Sequence, residues 1–138
     1  MKIGTKEEFI EIEELERNPE GSPYAGDVNV SIALALQAFS GSYDGVWLEL
    51  PEMERFVAEL EILDEKRNGS AKISSMSLEE FVLEIRSSDT LGSMEIEAQL
   101  HRYQYSGHKY WSINLKGGFE TQPETIRRLI SCFKALIN

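Results

Sequence analysis

The residue types that could do chemistry in this chain are few. The sequence has two histidines, His101 and His108, and a single cysteine, Cys132. Two histidines that flank a short segment do not match a known metal-ligand spacing, and one cysteine excludes both an internal disulfide and an all-cysteine zinc site. We therefore predict a sheet histidine, a loop histidine and a small buried cysteine, with no metal and no cofactor.

Hydrolytic and phosphate-binding chemistry is also disfavoured. The sequence has no glycine-rich phosphate loop and no G-x-S-x-G turn, so nothing places a serine as a nucleophile. Carboxylates are abundant, and Glu49 beside Trp47 could put an acid near an aromatic platform for a sugar. A glycosidase needs two carboxylates that converge in a cleft, and a small sheet with two helices offers little cleft. The sequence predicts a protein that is not an enzyme and has no catalytic residues.

Charge is the most pronounced feature of the composition. The 138 residues carry 24 Asp and Glu against 14 Lys and Arg, a formal net charge of −10. Residues 1–65 hold 16 of the acids and only four of the bases. Nucleic acids and anionic membranes are bound through basic side chains, so we expect neither as a partner. An acidic protein suits a basic protein partner, although acidity can also serve solubility alone.

Length and hydrophobic content indicate one globular domain over residues 1–138. Apolar residues make up 41% of the chain, too many for a disordered protein. No apolar run is long enough for a membrane-spanning helix. The opening residues, MKIGTKEEFIEIEE, lack the apolar segment of a secretory signal. We expect a cytoplasmic location.

Hydrophobic periodicity predicts strands and one helix in the first half of the chain. Within residues 5–16, the alternation of FIEIE favours a strand, and a helix stays open because Thr5 and Glu8 could form a capping box. Residues 28–38 alternate as a strand, SGSYDG at 40–45 is typical of a turn, and residues 46–50 complete a hairpin. Pro51 then begins a helix with one apolar stripe.

After this helix the pattern returns to strands, and the whole pattern indicates the fold class. Alternating strands are followed by the turn SGHK at 106–109, which predicts a hairpin in which Tyr105 opposes Tyr110 and Leu100 opposes Leu115. Short links favour antiparallel pairing. The predicted fold is α+β, with a mainly antiparallel sheet of about six to seven strands in the order β-β-β-α-β-β-β-β-α and two amphipathic helices at 51–67 and 123–137.

Two surfaces are candidates for binding a partner. The first is the acidic side of the first helix with the preceding strand, where Trp47 would be an aromatic anchor and carboxylates would pair with Lys and Arg. Its residues are Asp44, Trp47, Glu49, Glu52, Glu54, Glu61 and Glu65. The second is an aromatic stripe on an outward sheet face, with the residues His101, Tyr103, Tyr105 and Tyr110. Either set could instead be an ordinary solvated helix face or a series of cross-strand pairs.

Three segments resemble the WapI-type immunity proteins, which are small acidic bacterial proteins encoded beside contact-dependent or wall-associated toxins. The segments are DGVWLELPEMERFVAELEIL (44–63), GSAKISSMSLEEFVLEIRSSDTLGSMEIEAQLHRY (69–103) and GGFETQPETIRRLISCFKALI (117–137). They share with that family a tryptophan-bearing strand, a Leu-rich helix, strand pairs and a terminal helix. The resemblance covers most of the chain from residue 26 onward. Ser93 follows Gly92 where family members tend to have histidine.

The resemblance implies that the protein neutralises a cognate toxin, often a nuclease, by direct binding. Together with the charge, it predicts a non-enzymatic acidic protein that sequesters a basic toxin domain, as a monomer or a weak homodimer. One alternative is a structural or regulatory module that self-associates through Tyr103, Tyr105 and Tyr110. Another is a small enzyme or ligand-binding protein, which would need a deep pocket with converging polar side chains.

Overall fold

The computed structural model describes residues 1–77 and 79–138. The elements of the first half are β1 (Lys2–Gly4), β2 (Glu8–Arg17), β3 (Val28–Leu36), β4 (Phe39–Leu48) and α1 (Leu50–Lys66). Those of the second half are β5 (Ser70–Ser74), β6 (Phe81–Ser87), β7 (Met94–Ser106), β8 (Lys109–Thr121) and α2 (Glu124–Ile137). Every strand pairing among them is antiparallel, so the α+β class predicted from the sequence is confirmed.

The structure adds one strand to the predicted order, which becomes β-β-β-β-α-β-β-β-β-α. The added strand is β1, whose three residues are too few to show an alternating pattern. The strand expected within residues 5–16 is confirmed as β2. SGSYDG was wrongly predicted as a turn, because these residues lie inside β4. The chain reverses earlier, after Leu36, where Gln37 has a φ of 60°.

The strands form two four-stranded sheets, in the orders β1-β2-β3-β4 and β5-β6-β7-β8. The inner faces of both sheets and the apolar faces of both helices contribute to one cluster of buried side chains, for example Ile32 of β3 and Leu83 of β6. The two helices also meet directly, since the ring centroids of Phe56 and Phe133 lie 4.9 Å apart in an edge-to-face arrangement. The outer faces of the sheets are therefore left for other contacts.

Helix α1 begins at Leu50 because a side chain from a distant loop caps it. Asp27, in the loop before β3, is only 4% exposed, and its Oδ1 accepts a hydrogen bond of 2.8 Å from the Leu50 N–H. Pro51 follows in the first turn, where a missing N–H costs nothing. The helix ends at Lys66, and the following residue, Arg67, caps it with a left-handed φ of 55°. Both helices predicted from the sequence are confirmed to within a residue at each end.

A β-bulge in β4 determines which way its side chains point. The register between β3 and β4 shifts by one residue beside Gly45, which has a φ of 94°. Residues three apart on a regular strand would point to opposite faces. The extra residue brings Asp44 and Trp47 to the same outer face, opposite Ser31 and Asn29 of β3 respectively.

The β7–β8 hairpin extends beyond the rest of the second sheet. β6 pairs with β7 only as far as Leu100, whereas the β7–β8 ladder continues to the turn of the hairpin. Residues 101–114 therefore form a two-stranded ribbon, which we call the arm. The predicted register of this hairpin, with Tyr105 opposite Tyr110, is confirmed.

Candidate partner-binding surface

Strand β2 contributes three carboxylates to the outer face of the first sheet. Ile12 is buried in the core, so Glu11 and Glu13 on either side of it point outward. A β-bulge in β2 brings Glu16 to the same face, opposite Asn29 of β3. We call this surface the acidic face and define it by Glu11, Glu13, Glu16, Asp44 and Trp47.

Two rows of side chains cross the acidic face from β2 through β3 to β4. The rows are Glu13–Ser31–Asp44 and Glu16–Asn29–Trp47. Adjacent strands are about 4.8 Å apart, so the two ends of a row are about 10 Å apart at the backbone. The outward side chains of β3 are small or amide-bearing, so the acidic and aromatic groups form raised rims on both sides of a lower centre.

Few cations of the chain neutralise the acidic face. Glu13 lies 3.5 Å from the N-terminal ammonium of Met1, and Glu16 accepts a hydrogen bond of 3.2 Å from the side-chain amide of Asn29. Within residues 1–77 and 79–138, no Lys or Arg forms a salt bridge with Glu11, Glu16 or Asp44. Their charge is therefore available to a partner.

The carboxylates along one flank of α1 lie away from the acidic face. Glu54, Glu61 and Glu65 are spaced by seven and four residues, so they share that flank. The flank adjoins α2, whose Lys134 ammonium lies 3.7 Å from the Glu61 carboxylate. Part of the negative charge of the N-terminal half is thus already paired with a base from the C-terminal half.

Glu52 belongs to a cluster on the opposite flank of α1. Arg55 forms salt bridges with Glu52, at 2.8 Å, and with Glu59. The hydrogen bond from Arg55 is the main cause of a lowered pKa at the Glu52 carboxyl. The same arginine donates a hydrogen bond to the Lys72 carbonyl of β5, and Glu59 accepts one from the Lys72 N–H. This cluster holds the helix against the edge of the second sheet.

The structure therefore brings together only two of the seven residues predicted for the acidic site. Asp44 and Trp47 lie on the acidic face, and Glu49 is half-buried at the junction of β4 and α1. Glu52 lies at the edge of the second sheet beside β5. The other three, Glu54, Glu61 and Glu65, line the flank of α1 that adjoins α2. Sequence reasoning missed Glu11, Glu13 and Glu16. Their signal was the alternation of FIEIE, which sets Glu11 and Glu13 outward once the segment is a strand.

The four residues of the predicted aromatic stripe share one face of the arm. The ring centroids of His101 and Tyr103 are 4.8 Å apart, those of Tyr103 and Tyr110 are 5.1 Å apart, and those of Tyr105 and Tyr110 are 4.7 Å apart. His101 Nε2 also lies 2.8 Å from the Ser112 hydroxyl. The rings hold one another in place while their outer surfaces stay in solvent.

Comparison with known families gives a match over the whole chain. The family model described as the immunity protein WapI-like family matches residues 1–138. The chain belongs to the WapI-like immunity protein family. The resemblance found in the sequence is thereby confirmed, and the match extends it to the first residue. No curated protein and no solved structure matches the chain.

Membership of the WapI-like family implies a toxin as the cognate partner, so the exposed surfaces are the places to look for function. In the described part of the chain, no three His, Cys, Asp or Glu side chains are placed to share a metal ion. No described helix is both long and apolar enough to cross a membrane. Burial raises the pKa of the Cys132 thiol in α2, which disfavours the reactive thiolate.

Proposed function

We propose that this member of the WapI-like family is a non-enzymatic immunity protein that neutralises a basic cognate toxin by binding it directly on the acidic face. The observation that carries the proposal is the pair of rows that ends in Asp44 and Trp47, with carboxylates unpaired by Lys or Arg among the described residues. A nuclease is the foremost candidate class, because it must be basic where it holds its polyanionic substrate.

The geometry supports inhibition by imitation of a polyanion. Glu13 and Asp44 lie at opposite ends of one row on a hydrogen-bonded sheet, so the backbone that carries their carboxylates is already ordered before binding. Attraction between an acidic and a basic surface can raise association rates toward about 10⁸–10⁹ M⁻¹s⁻¹ at low salt. Trp47 stands beside these charges and supplies the apolar contact that keeps a complex together.

The first experiment tests the function itself. The chain is co-expressed with the protein encoded by the adjacent reading frame, and growth and co-purification are measured. Rescue of growth together with a stable complex is the expected result. A toxic neighbour that is neither rescued nor co-purified would refute the proposal.

A second experiment tests the location of the docking surface. Glu13→Lys with Asp44→Lys should slow association with that toxin at low salt by roughly tenfold or more. Glu54→Lys with Glu65→Lys changes the net charge equally on the flank of α1, and it should slow association much less. Equal slowing by the two pairs would place the effect in net charge and contradict docking on the acidic face.

A further inference from the structure

The arm leaves apolar side chains exposed on both of its faces. Tyr103, Tyr105 and Tyr110 are between 53% and 75% exposed on one face, and Trp111 and Ile113 are 49% and 46% exposed on the other. A partner that lay on either face alone would leave the other face in water. A strand placed beside the arm would contact both faces at once, because its own side chains alternate in the same way.

The edge of β8 along the arm is open. β8 is an outermost strand of its sheet, and its residues from Lys109 to Asn114 are all exposed. The other outermost strand, β5, differs, since side chains of Arg55 and Glu59 bond to its backbone at Lys72. Within residues 1–77 and 79–138, β7 is the only strand that pairs with β8. An edge of this kind can accept a further strand.

A hydrogen bond at the root of the arm shows which backbone groups face the open edge. His101 pairs with Asn114, yet its N–H donates a hydrogen bond of 2.9 Å to the Glu80 carbonyl, on the side away from β8. The two residues of this pair therefore do not bond to each other, and every second pair along an antiparallel ladder is of this kind. The residues of the arm whose N–H and C=O point to the open side of β8 are accordingly Tyr110, Ser112 and Asn114.

We propose that this edge is a self-association site, at which β8 of a second copy of the chain adds as an antiparallel strand across a twofold axis at Ser112. The second sheets of the two copies then form one continuous sheet of eight strands. Self-association at this edge does not depend on the proposed function. The acidic face belongs to the first sheet, so a dimer leaves both acidic faces free.

Symmetry selects Ser112 for the axis. One residue must face its own copy across a twofold axis, and its N–H and C=O must point to the open side. With Tyr110 at the axis, the ladder would run at once into the turn of the hairpin. With Asn114 at the axis, it would extend along the part of β8 that lines a recess with Leu36 of the first sheet. Ser112 gives a ladder over residues 109–115 that avoids both.

Pairing about Ser112 brings complementary side chains together. Trp111 then faces Ile113 of the second copy, and Ile113 faces its Trp111. These pairs are not hydrogen-bonded across the new ladder, so their side chains approach most closely, and aromatic side chains pair well with β-branched ones. Lys109 faces Leu115 of the second copy. No two cations are opposed within this ladder.

The charge of the arm favours a second copy over a strand of a basic toxin. Residues 101–114 contain Arg102 and Lys109 and no Asp or Glu, so a basic partner would find no counter-charge there. Two copies, in contrast, meet through a segment that carries no negative charge. The net charge of −10 on each copy still opposes association over longer distances, and salt screens this repulsion.

The size of the contact indicates a weak, reversible dimer. Seven residues of a strand are about 24 Å long and a sheet edge is about 10 Å thick, so each copy buries roughly 240 Å². A stable complex buries about 800 Å² on each partner. About six backbone hydrogen bonds, two from each hydrogen-bonded pair, add to this small area. We therefore expect a dissociation constant of about 0.1–1 mM.

The first test measures the mass of the chain in solution. In sedimentation equilibrium, the average mass should rise above 15.7 kDa as the protein concentration approaches about 1 mM. Salt at about 0.5 M should strengthen the dimer, whereas it should weaken binding of a basic toxin on the acidic face, so the two proposals fail separately. A chain that stays monomeric at about 1 mM in high salt would overturn self-association and leave the edge to a strand of another protein.

A substitution at the axis separates the new ladder from the fold. Ser112→Pro removes an N–H that points away from β7, and an edge strand tolerates a proline at such a position. The dimer should weaken about tenfold or more, because both central hydrogen bonds are lost. Ser112→Ala keeps the N–H and loses only the hydroxyl beside His101, so its dimer should stay within about twofold of the natural one. Equal dimerisation of the Pro and Ala variants would contradict strand addition.

Cysteine cross-linking tests the register without the proline variant. In chains that carry Cys132→Ser, the thiols introduced by Ser112→Cys meet across the axis at a Cα separation of about 5.5 Å, which a disulfide can span. The thiols introduced by Asn114→Cys lie about 14 Å apart, since each faces residue 110 of the other copy. Mild oxidation should link the Ser112→Cys chains at least about tenfold faster. Equal rates for the two variants would overturn the twofold pairing at Ser112.

Discussion

The guanidinium of Arg55 donates a hydrogen bond of 2.8 Å to the carbonyl oxygen of Lys72. Glu59 accepts a bond of 3.0 Å from the Lys72 N–H, so two side chains of α1 take the place of a neighbouring strand. β5 is an outermost strand of its sheet, and unpaired strand edges invite pairing with other chains. Part of the negative charge of α1 therefore protects an edge of the sheet.

Replacing Arg55 should weaken this edge. We expect Arg55→Ala to lower the free energy of unfolding by about 1–2 kcal/mol. The variant loses the hydrogen bonds from the guanidinium to the Lys72 carbonyl and to two carboxylates at the same time. Each exposed ion pair alone would contribute under about 1 kcal/mol. Urea denaturation followed by circular dichroism measures the change. Lys66→Ala, at an exposed position near the end of α1, is the control, and an equal loss there would contradict the assigned role.

The bulge at Gly45 gives a second prediction. Its φ of 94° lies in the left-handed region, which costs a residue with a side chain about 1–2 kcal/mol. We expect Gly45→Val to lower the free energy of unfolding by about that amount. Ser42→Ala, on an exposed part of the same strand, should change it little. A Gly45→Val variant as stable as the natural chain would show that β4 does not depend on the bulge.

Most of the fold could be predicted because it follows from side-chain alternation and turn spacing. The turn at residues 106–109 alone gave the correct β7–β8 register, since Tyr105 and Tyr110 pair as counted from it. The prediction of a turn at SGSYDG (40–45) was wrong for a physical reason. Ser, Gly and Asp favour turns locally, but pairing with β3 holds this segment in β4.

The candidate site was harder to predict because bulges do not appear in an alternating pattern. Asp44 and Trp47 share a face only through the extra residue beside Gly45, and Glu16 reaches that face only through the bulge in β2. The sequence also could not show that Lys134, 73 residues further along the chain, lies beside Glu61. The distribution of charge along the sequence therefore identified residues 1–65 as acidic, but it could not identify which of their carboxylates share the acidic face.

The capping role of Asp27 predicts a stability change far from any candidate surface. Asp27→Ala leaves the Leu50 N–H without its acceptor, so the free energy of unfolding should fall by about 1–2 kcal/mol. Asp27→Asn keeps an oxygen acceptor and should lose less. Thermal denaturation of the three proteins measures the order. An Asn variant as unstable as the Ala variant would mean that the charge of Asp27, rather than its hydrogen bond, stabilises α1.

Glu80 should make the stability of the arm's base depend on pH. The Tyr43 hydroxyl donates a hydrogen bond of 3.5 Å to Glu80 Oε2, and the Arg102 guanidinium lies over the Tyr43 ring. Burial raises the pKa of the Glu80 carboxyl above its ordinary value of 4.5, and this effect exceeds the opposing effects of Tyr43 and Arg102. The folded chain therefore holds the Glu80 proton more tightly than the unfolded chain does.

The stabilising contribution of Glu80 is consequently complete below pH 4.5 and is lost as the pH rises through the raised pKa. Glu80→Gln is neutral at every pH and lacks this loss. The difference in free energy of unfolding, variant minus natural chain, should thus increase between about pH 4 and 7. The increase should be less than about 1 kcal/mol, because solvent screens a partly exposed carboxylate. Urea denaturation at several pH values measures this difference. A difference that stays constant over this pH range would show that burial at the base of the arm does not raise the pKa of Glu80.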